Sequence, residues 1–127
     1  MARIVVIEDE APLRESILML LRFEGYDAVG AANGGTGLEE IRQQIPDVVI
    51  CDVMLPVMDG FQVVETLKGV PETASIPVVF ISALSDRAAI ARAREMGVQA
   101  YLVKPVTFEV LLEELKAVLG EDQGGDA

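Results

Sequence analysis

Short apolar runs rich in Val and Ile alternate with segments of helical periodicity along the chain, and this alternation limits the fold more than any other feature. The strongest runs are residues 4–7, 48–51 and 77–81. Continuous apolar runs of this length are typical of strands buried on both faces of a parallel sheet. Residues 26–32 and 98–103 form weaker runs that include polar positions, which predicts edge strands.

The segments between these runs carry apolar residues at spacings of three and four, the pattern of helices with one buried face. Residues that favour helix ends flank these segments in the expected order. The predicted N-caps are Asn33, Ser85 or Asp86, and Thr107, and the predicted C-terminal glycines are Gly25, Gly97 and Gly120. The sequence therefore predicts five consecutive βα units, (βα)5.

Alternating strands and helices require right-handed crossovers, which place helices on both faces of one parallel sheet. Three strongly apolar strands in the middle and two weaker strands outside favour the spatial order 2-1-3-4-5. The predicted fold class is therefore α/β, with a doubly wound parallel five-stranded sheet. In such sheets ligands bind beyond the carboxyl ends of the strands, at the point where the strand order changes direction.

The chain length of 127 residues corresponds to about one domain. We expect residues 1–120 to form this domain. Residues 121–127 are polar, contain two glycines and have nothing to bury. We therefore expect them to be a flexible tail or the start of a linker.

Ten Lys and Arg residues against 21 Asp and Glu residues give a formal net charge of −11, which disfavours direct binding to nucleic acid or to an anionic membrane surface. No apolar run approaches the ~20 residues that a membrane-spanning helix needs. No secretion signal opens the chain, and the single cysteine, Cys51, cannot form an internal disulfide. We therefore expect a cytoplasmic protein in which Cys51 packs in the core.

Polar side chains follow four of the five predicted strands, at the point where each apolar run ends. Because the carboxyl ends of parallel strands share one edge of the sheet, we expect these side chains to meet in one crevice. Carboxylates this close repel one another unless a cation neutralises them, and Mg²⁺ prefers such oxygen ligands. The polar residues at the strand ends are Glu8, Asp9 and Glu10 after strand 1, Asp52 after strand 3, Ser82 after strand 4 and Lys104 after strand 5.

Each of these residues alone is more often a helix cap or a solvated loop residue, but their joint placement favours a functional site. A carboxylate beside a cation can attack a phosphoryl group and form an aspartyl phosphate. Asp52, at the end of the central strand, has the best position for this attack. Lys104 and Ser82 can contact the phosphoryl oxygens, and the backbone carbonyl of Met54 can reach a metal ion.

The segments IVVIEDE, VVICDVMLPVMDG, VVFISA and YLVKP resemble receiver domains of two-component response regulators, and chemotaxis regulators in particular. The resemblance covers residues 2–119 and implies a flavodoxin-like fold with the same 2-1-3-4-5 strand order. It also implies that Asp52 is the phosphoacceptor and that Ser82 and Lys104 contact the phosphoryl group. Mg²⁺, or Mn²⁺ in its place, is then expected to bind Glu8, Asp9, Asp52 and the Met54 carbonyl.

The resemblance implies further that Tyr101 is a switch residue, whose ring moves inward when Ser82 moves toward the phosphoryl group. Pro105 is expected to follow a cis peptide bond. Two features depart from the family pattern. Glu8 occupies a position where many members have Asp, and Gln99 with Ala100 replaces an acidic pair that is frequent in members that dimerise through helix 4, strand 5 and helix 5. Dimerisation through that face is therefore not predicted.

The function that the resemblance implies is a phosphorylation-controlled signalling switch rather than an enzyme, catalysing only its own phosphorylation and dephosphorylation. A sensor histidine kinase or a histidine phosphotransfer protein is the expected donor, bound near helix 1 and residues 104–107. A downstream protein or a fused output domain is expected to recognise the altered surface of helix 4, strand 5 and helix 5.

Two alternatives stay open at this point. The first is a receiver-like interaction module that is never phosphorylated. The second, less favoured, is a magnesium-dependent aspartyl phosphohydrolase. Haloacid-dehalogenase-like enzymes of that kind carry a D-x-D pair after strand 1, whereas this chain has Glu8, Asp9 and Glu10 there.

Overall fold

Five strands and five helices alternate in the computed structural model, which describes residues 1–121. The strands are β1 (Arg3–Ile7), β2 (Asp27–Ala31), β3 (Val48–Asp52), β4 (Val78–Ser82) and β5 (Ala100–Val103). The helices are α1 (Ala11–Phe23), α2 (Gly34–Gln43), α3 (Gly60–Lys68), α4 (Arg87–Glu95) and α5 (Phe108–Leu119). The predicted (βα)5 pattern is confirmed.

Of the tail predicted for residues 121–127, only Glu121 belongs to the described residues, and the other positions lie outside them. The Glu121 carboxylate accepts a hydrogen bond of 2.9 Å from the hydroxyl of Tyr26. Within residues 1–121, no helix is long and apolar enough to cross a membrane.

All strand pairs in the sheet are parallel, and their order is β2-β1-β3-β4-β5. This confirms the predicted order 2-1-3-4-5. The strands β3 and β4 each extend one residue beyond the apolar run, because the main chains of Asp52 and Ser82 still pair with neighbouring strands. β4 begins at Val78 rather than at Pro77, which has no N–H group to donate.

Two apolar layers, one on each face of the sheet, form the core. The layer under α2, α3 and α4 includes Ile41, Leu67 and Phe80, and the layer under α1 and α5 includes Leu21 and Leu115. The central strands β1, β3 and β4 are buried along almost their whole length, whereas β2 and β5 are partly exposed. The two weaker apolar runs are therefore edge strands, as predicted.

Most of the predicted helix ends are also confirmed, but Asp86, one of the two predicted N-caps of α4, occupies the N-cap position without a side-chain capping hydrogen bond. The side chains of Asn33 and Thr107 accept hydrogen bonds from backbone N–H groups in the first turns of α2 and α5. Gly25, Gly97 and Gly120 have φ angles of 97°, 84° and 74°, a conformation that glycine adopts without steric cost. These caps mark the starts of α2 and α5 and the ends of α1, α4 and α5.

The start of α3 was not predicted, although the sequence carried a signal for it. Asp59 and Gln62 form a capping box in which each side chain accepts from the backbone N–H of the other residue. The next residue, Gly60, packs directly on the main chain that follows the central strand. A Cβ atom on Gly60 would lie 2.6 Å from the carbonyl oxygen of Asp52 and 2.8 Å from Cα of Val53.

We therefore predict that Gly60→Ala lowers the free energy of unfolding by roughly 1–3 kcal/mol, because the backbone atoms that the added Cβ meets have no room to move. Gly69, at the other end of α3, is the matched control, since a Cβ there meets its nearest atoms at 3.6 Å. Gly69→Ala is expected to raise the free energy of unfolding by roughly 0.4–1 kcal/mol. Urea unfolding measures both values, and equal stabilities of the two variants would contradict the packing argument.

Candidate functional site

The carboxyl ends of β1, β3 and β5 bring three charged side chains into direct contact. The Nζ atom of Lys104 lies 2.8 Å from Oδ2 of Asp52 and 3.0 Å from Oε1 of Glu8. Lys104 is separated from these residues by 52 and 96 positions in the sequence. The sheet topology alone brings them together, as the strand-end argument predicts.

Three carboxylates form one cluster at this edge of the sheet. Glu8, Asp9 and Asp52 each offer an oxygen atom, and these oxygens all lie within 4.8 Å of one another. Glu8 and Asp52 are 0% and 4% exposed, whereas Asp9 is exposed. Glu10 does not belong to this cluster, but its Oε1 forms a longer ion pair of 3.8 Å with Nζ of Lys104. The cluster is an all-oxygen donor set, the chemistry that Mg²⁺ prefers.

Two donors hold the carboxylate of Asp52. The backbone N–H of Met54 donates to Oδ1 at 3.0 Å, and Lys104 donates to Oδ2 at 2.8 Å. The contact from Met54 thus comes from its N–H group, and the expected role of its carbonyl as a metal ligand stays a prediction. Asp52 ends a strand buried on both faces, which fixes its backbone, and the two donors orient its carboxylate.

Burial is the main cause that raises the pKa of Glu8 above its usual value. The Glu10 N–H and the Lys104 ammonium act against this rise, and the charge of Asp52 adds to it. Burial by itself lowers the pKa of Lys104, but the hydrogen bonds to Asp52 and Glu8 outweigh burial, so that this pKa is raised. Lys104 therefore remains a cation at neutral pH.

Ser82 and Tyr101 meet at the loop between β4 and α4. The fully buried Oγ of Ser82 accepts a hydrogen bond of 3.1 Å from the N–H of Leu84. The hydroxyl of Tyr101 donates to the carbonyl of the same Leu84, and the Tyr101 ring packs edge-on against Phe80 at 6.0 Å. Leu84 thus links the two predicted switch residues, a role that its position in the sequence does not reveal.

The turn after β5 contains the predicted cis peptide bond, between Lys104 and Pro105. A groove of about 540 Å³ lies between this turn and α1. Its lining is mainly apolar and includes Leu13, Leu20 and Phe108. The groove coincides with the region in which kinase contacts are expected.

The loop between β3 and α3 has a backbone feature that the sequence pattern does not indicate. Val57 has a φ angle of 68° and a fully exposed side chain. A β-branched residue rarely adopts this left-handed conformation. The N–H of Met58 donates to the carbonyl of Pro56 at 2.7 Å, which closes a three-residue turn around Val57.

Cys51 packs in the core, as predicted. Its side chain is fully buried, and its Sγ lies 3.2 Å from the carbonyl oxygen of Asp52. Burial, followed by the nearby negative charge of Asp52, raises the pKa of the thiol far above its usual value. The thiol therefore stays protonated and belongs to the core rather than to the site.

The raised pKa of Glu8 predicts a pH dependence of stability. Between the usual pKa of a glutamate and the higher pKa of folded Glu8, the folded state binds more protons than the unfolded state. The penalty of burying the ionised group therefore grows as the pH rises through the folded pKa. We expect Glu8→Gln, with a metal chelator present, to be more stable than the native protein at neutral pH, and this difference to shrink at mildly acidic pH.

Urea unfolding at a series of pH values measures this difference. The exposed neighbour Glu10 provides the control, because Glu10→Gln removes an acidic charge from the same segment without removing a buried group. If the free energies of unfolding of Glu8→Gln and the native protein differed by the same amount at every pH, Glu8 would not titrate as described.

Comparison with known proteins places the chain in a large family. The family model of the response regulator receiver domain matches residues 4–116. Protein PilH of Pseudomonas aeruginosa is 34% identical over 119 residues, which cover 94% of this chain and 98% of PilH. The phosphate regulon transcriptional regulatory protein PhoB of Escherichia coli is 34% identical over 117 residues, but the match covers 92% of this chain and 51% of PhoB.

Solved structures agree with the sequence matches. The chemotaxis protein CheY4 of Vibrio cholerae superposes with a TM-score of 0.89 at 28% identity, covering 94% of this chain and 99% of CheY4. A receiver domain protein of Methanospirillum hungatei, described as CheY-like, gives a TM-score of 0.88 at 27% identity, with 95% of each chain covered. The chain thus spans nearly the full length of these proteins and about half of PhoB.

Proposed function

The chain belongs to the response regulator receiver domain family, and from this membership we propose that Asp52 is the residue that accepts the phosphoryl group. The observation that supports this role most directly is the 2.8 Å contact between Nζ of Lys104 and Oδ2 of Asp52. A carboxylate at the end of a buried central strand, held beside a fixed cation, is a nucleophile prepared for a negatively charged phosphoryl group.

In the proposed reaction an oxygen of Asp52 attacks the phosphorus of a phosphohistidine. The bond between phosphorus and the histidine nitrogen breaks, and its electron pair leaves with the imidazole, which takes up a proton. Lys104 and Ser82 then contact the phosphoryl oxygens, Lys104 as a cation and Ser82 as a hydroxyl donor. The same site would catalyse the slow hydrolysis that returns Asp52 to its free state.

The residues that would hold Mg²⁺, or Mn²⁺ in its place, are Glu8, Asp9 and Asp52 together with the Met54 carbonyl. When bound, the ion offsets the charge of the carboxylates and of the phosphoryl oxygens. The three clustered carboxylates fit such an ion, because the single ammonium of Lys104 does not balance their charge. The exposed position of Asp9 leaves one side of the cluster open to solvent.

The switch would act through Leu84. A phosphoryl oxygen on Asp52 would accept a hydrogen bond from the Ser82 hydroxyl, and the side-chain movement that brings the hydroxyl there would break its present bond from the N–H of Leu84. Because Tyr101 donates to the carbonyl of Leu84, movement of this loop also moves the tyrosine. Phosphorylation would thereby shift an existing equilibrium and change the surface formed by α4, β5 and α5.

The proposed donor is a sensor histidine kinase or a histidine phosphotransfer protein. The apolar groove between α1 and Pro105 supports this proposal, since it lies beside Lys104 and offers a surface to a helical partner. The proposed recipient of the signal is a downstream protein or a fused output domain. Direct nucleic-acid binding by this domain remains disfavoured by the net charge of −11, and the cytoplasmic location remains a prediction.

Of the two alternatives, the phosphohydrolase does not fit the family, whose members are signalling switches rather than enzymes acting on separate substrates. The interaction module without phosphorylation would have no need for a buried carboxylate beside a lysine. The intact set of Asp9, Asp52, Ser82 and Lys104 therefore favours the phosphorylated switch.

Intact mass spectrometry after incubation with acetyl phosphate tests the proposal. We expect the native protein to gain the mass of one phosphoryl group when Mg²⁺ is present and to gain almost none with a chelator. Asp52→Asn should gain none under either condition, because an amide oxygen does not act as the nucleophile.

Asp27→Asn is the matched control, since Asp27 is an exposed aspartate at the start of β2, away from the site. It should be phosphorylated as the native protein is. A phosphoryl gain in Asp52→Asn equal to that of the native protein would remove Asp52 from its proposed role. No gain in the native protein would favour the unphosphorylated interaction module.

A further inference from the structure

A second, open cavity of about 650 Å³ adjoins the acidic cluster on the side of α3 and α4. Its lining includes Asp9 of the cluster and Met54, whose N–H group holds Asp52. It also includes Leu84 of the proposed switch and Arg92 of α4. The cavity therefore connects solvent to the rim of the phosphorylation site, and nothing in the proposed function uses it.

The side chain of Arg92 has a fixed place in the cavity wall. Its guanidinium carbon lies 4.2 Å from the centroid of the Phe61 ring, a cation–π contact. Phe61 is itself buried and packs edge-on against Phe80 at 5.5 Å. A rigid aromatic platform therefore holds the cation at the wall, although Arg92 belongs to an exposed helix face.

Arg92 also has no ion-pair partner among residues 1–121, where the ion pairs are those of Arg3, Arg14 and Lys104. The chain as a whole is strongly acidic and repels anions. The cavity wall also carries two carboxylates, those of Asp9, a proposed metal ligand, and of Asp59, which caps α3. Arg92 is the cation of this lining and the group in it that can attract an anionic reactant. The reactants that must reach this site are phosphoryl donors.

We propose that Arg92 binds the leaving group of small acyl phosphate donors in this cavity and so favours them over donors with a neutral leaving group. The proposal rests on the proposed function of Asp52. An oxygen of Asp52 attacks phosphorus, and the bond between phosphorus and the acyl oxygen breaks. The electron pair of that bond leaves with the acyl oxygen, so that a free carboxylate departs with the negative charge that Arg92 stabilises.

Phosphoramidate supplies the contrasting donor. Its bond between phosphorus and nitrogen breaks with protonation of the nitrogen, and neutral ammonia departs. We therefore expect Arg92 to stabilise the departing acetate of acetyl phosphate but not the departing ammonia of phosphoramidate. The ratio of the two phosphorylation rates isolates this effect from any general change in the reactivity of Asp52.

The experiment follows phosphorylation of the full chain by intact mass spectrometry, at saturating Mg²⁺, with each donor separately. Arg92→Gln should lower the rate with acetyl phosphate by about 5-fold, the scale of one exposed ionic interaction, and leave the rate with phosphoramidate unchanged. Arg92→Lys keeps the charge and should keep most of the acetyl phosphate rate. Arg94→Gln removes an arginine from the same helix but outside this cavity, and both of its rates should equal those of the native protein.

Thermal unfolding of each variant shows whether the fold is retained. Equal loss of rate with both donors in Arg92→Gln would mean that Arg92 acts on the structure of the site, and would overturn the proposal. Unchanged rates with both donors would also overturn it. Failure of the native protein to react with either donor would instead contradict the proposed role of Asp52, and the inference about Arg92 would fall with it.

Discussion

The contact of the Lys104 ammonium with two buried carboxylates is the interaction on which the rest of the site depends. Glu8 and Asp52 are almost fully buried, and ionised groups at such depth are strongly destabilising unless a cation accompanies them. Lys104 satisfies one oxygen of each. The net negative charge that remains makes the cluster suited to Mg²⁺, and a bound cation would in turn offset the charge of a phosphoryl group.

This arrangement follows from the parallel sheet. Every strand ends at the same edge, so the last residues of β3 and β4 and the first residues after β1 and β5 meet there without any proximity in sequence. Gly60 lets α3 pack on the main chain of Asp52, which fixes the backbone of the proposed acceptor. By contrast, Leu84 lies in a loop outside the core, and in the proposed switch this loop carries a change at Asp52 to Tyr101.

The sequence predicted the elements, the strand order and the convergence of the site residues, because periodicity and strand ends are local signals that the topology converts into positions. It did not predict the bridging role of Leu84, the turn at Val57 or the stacking of Arg92 on Phe61. These features depend on side chains and backbone groups from separate elements, which no spacing pattern encodes. The capping box at Asp59 was encoded in the sequence, three residues before Gln62, and was open to prediction.

We propose that one site, built from Glu8, Asp9, Asp52, Ser82 and Lys104, binds both the metal and the phosphoryl group. Backbone amide NMR spectra recorded with Mg²⁺ and then with beryllium fluoride, which mimics a phosphoryl group on aspartate, test whether the two bind together. We expect Mg²⁺ to shift the signals at the ends of β1 and β3. The mimic should then shift those of Ser82 to Leu84, Tyr101 and Lys104. Shifts confined to the metal ligands, with the β4 and β5 ends unchanged, would contradict a single coupled site.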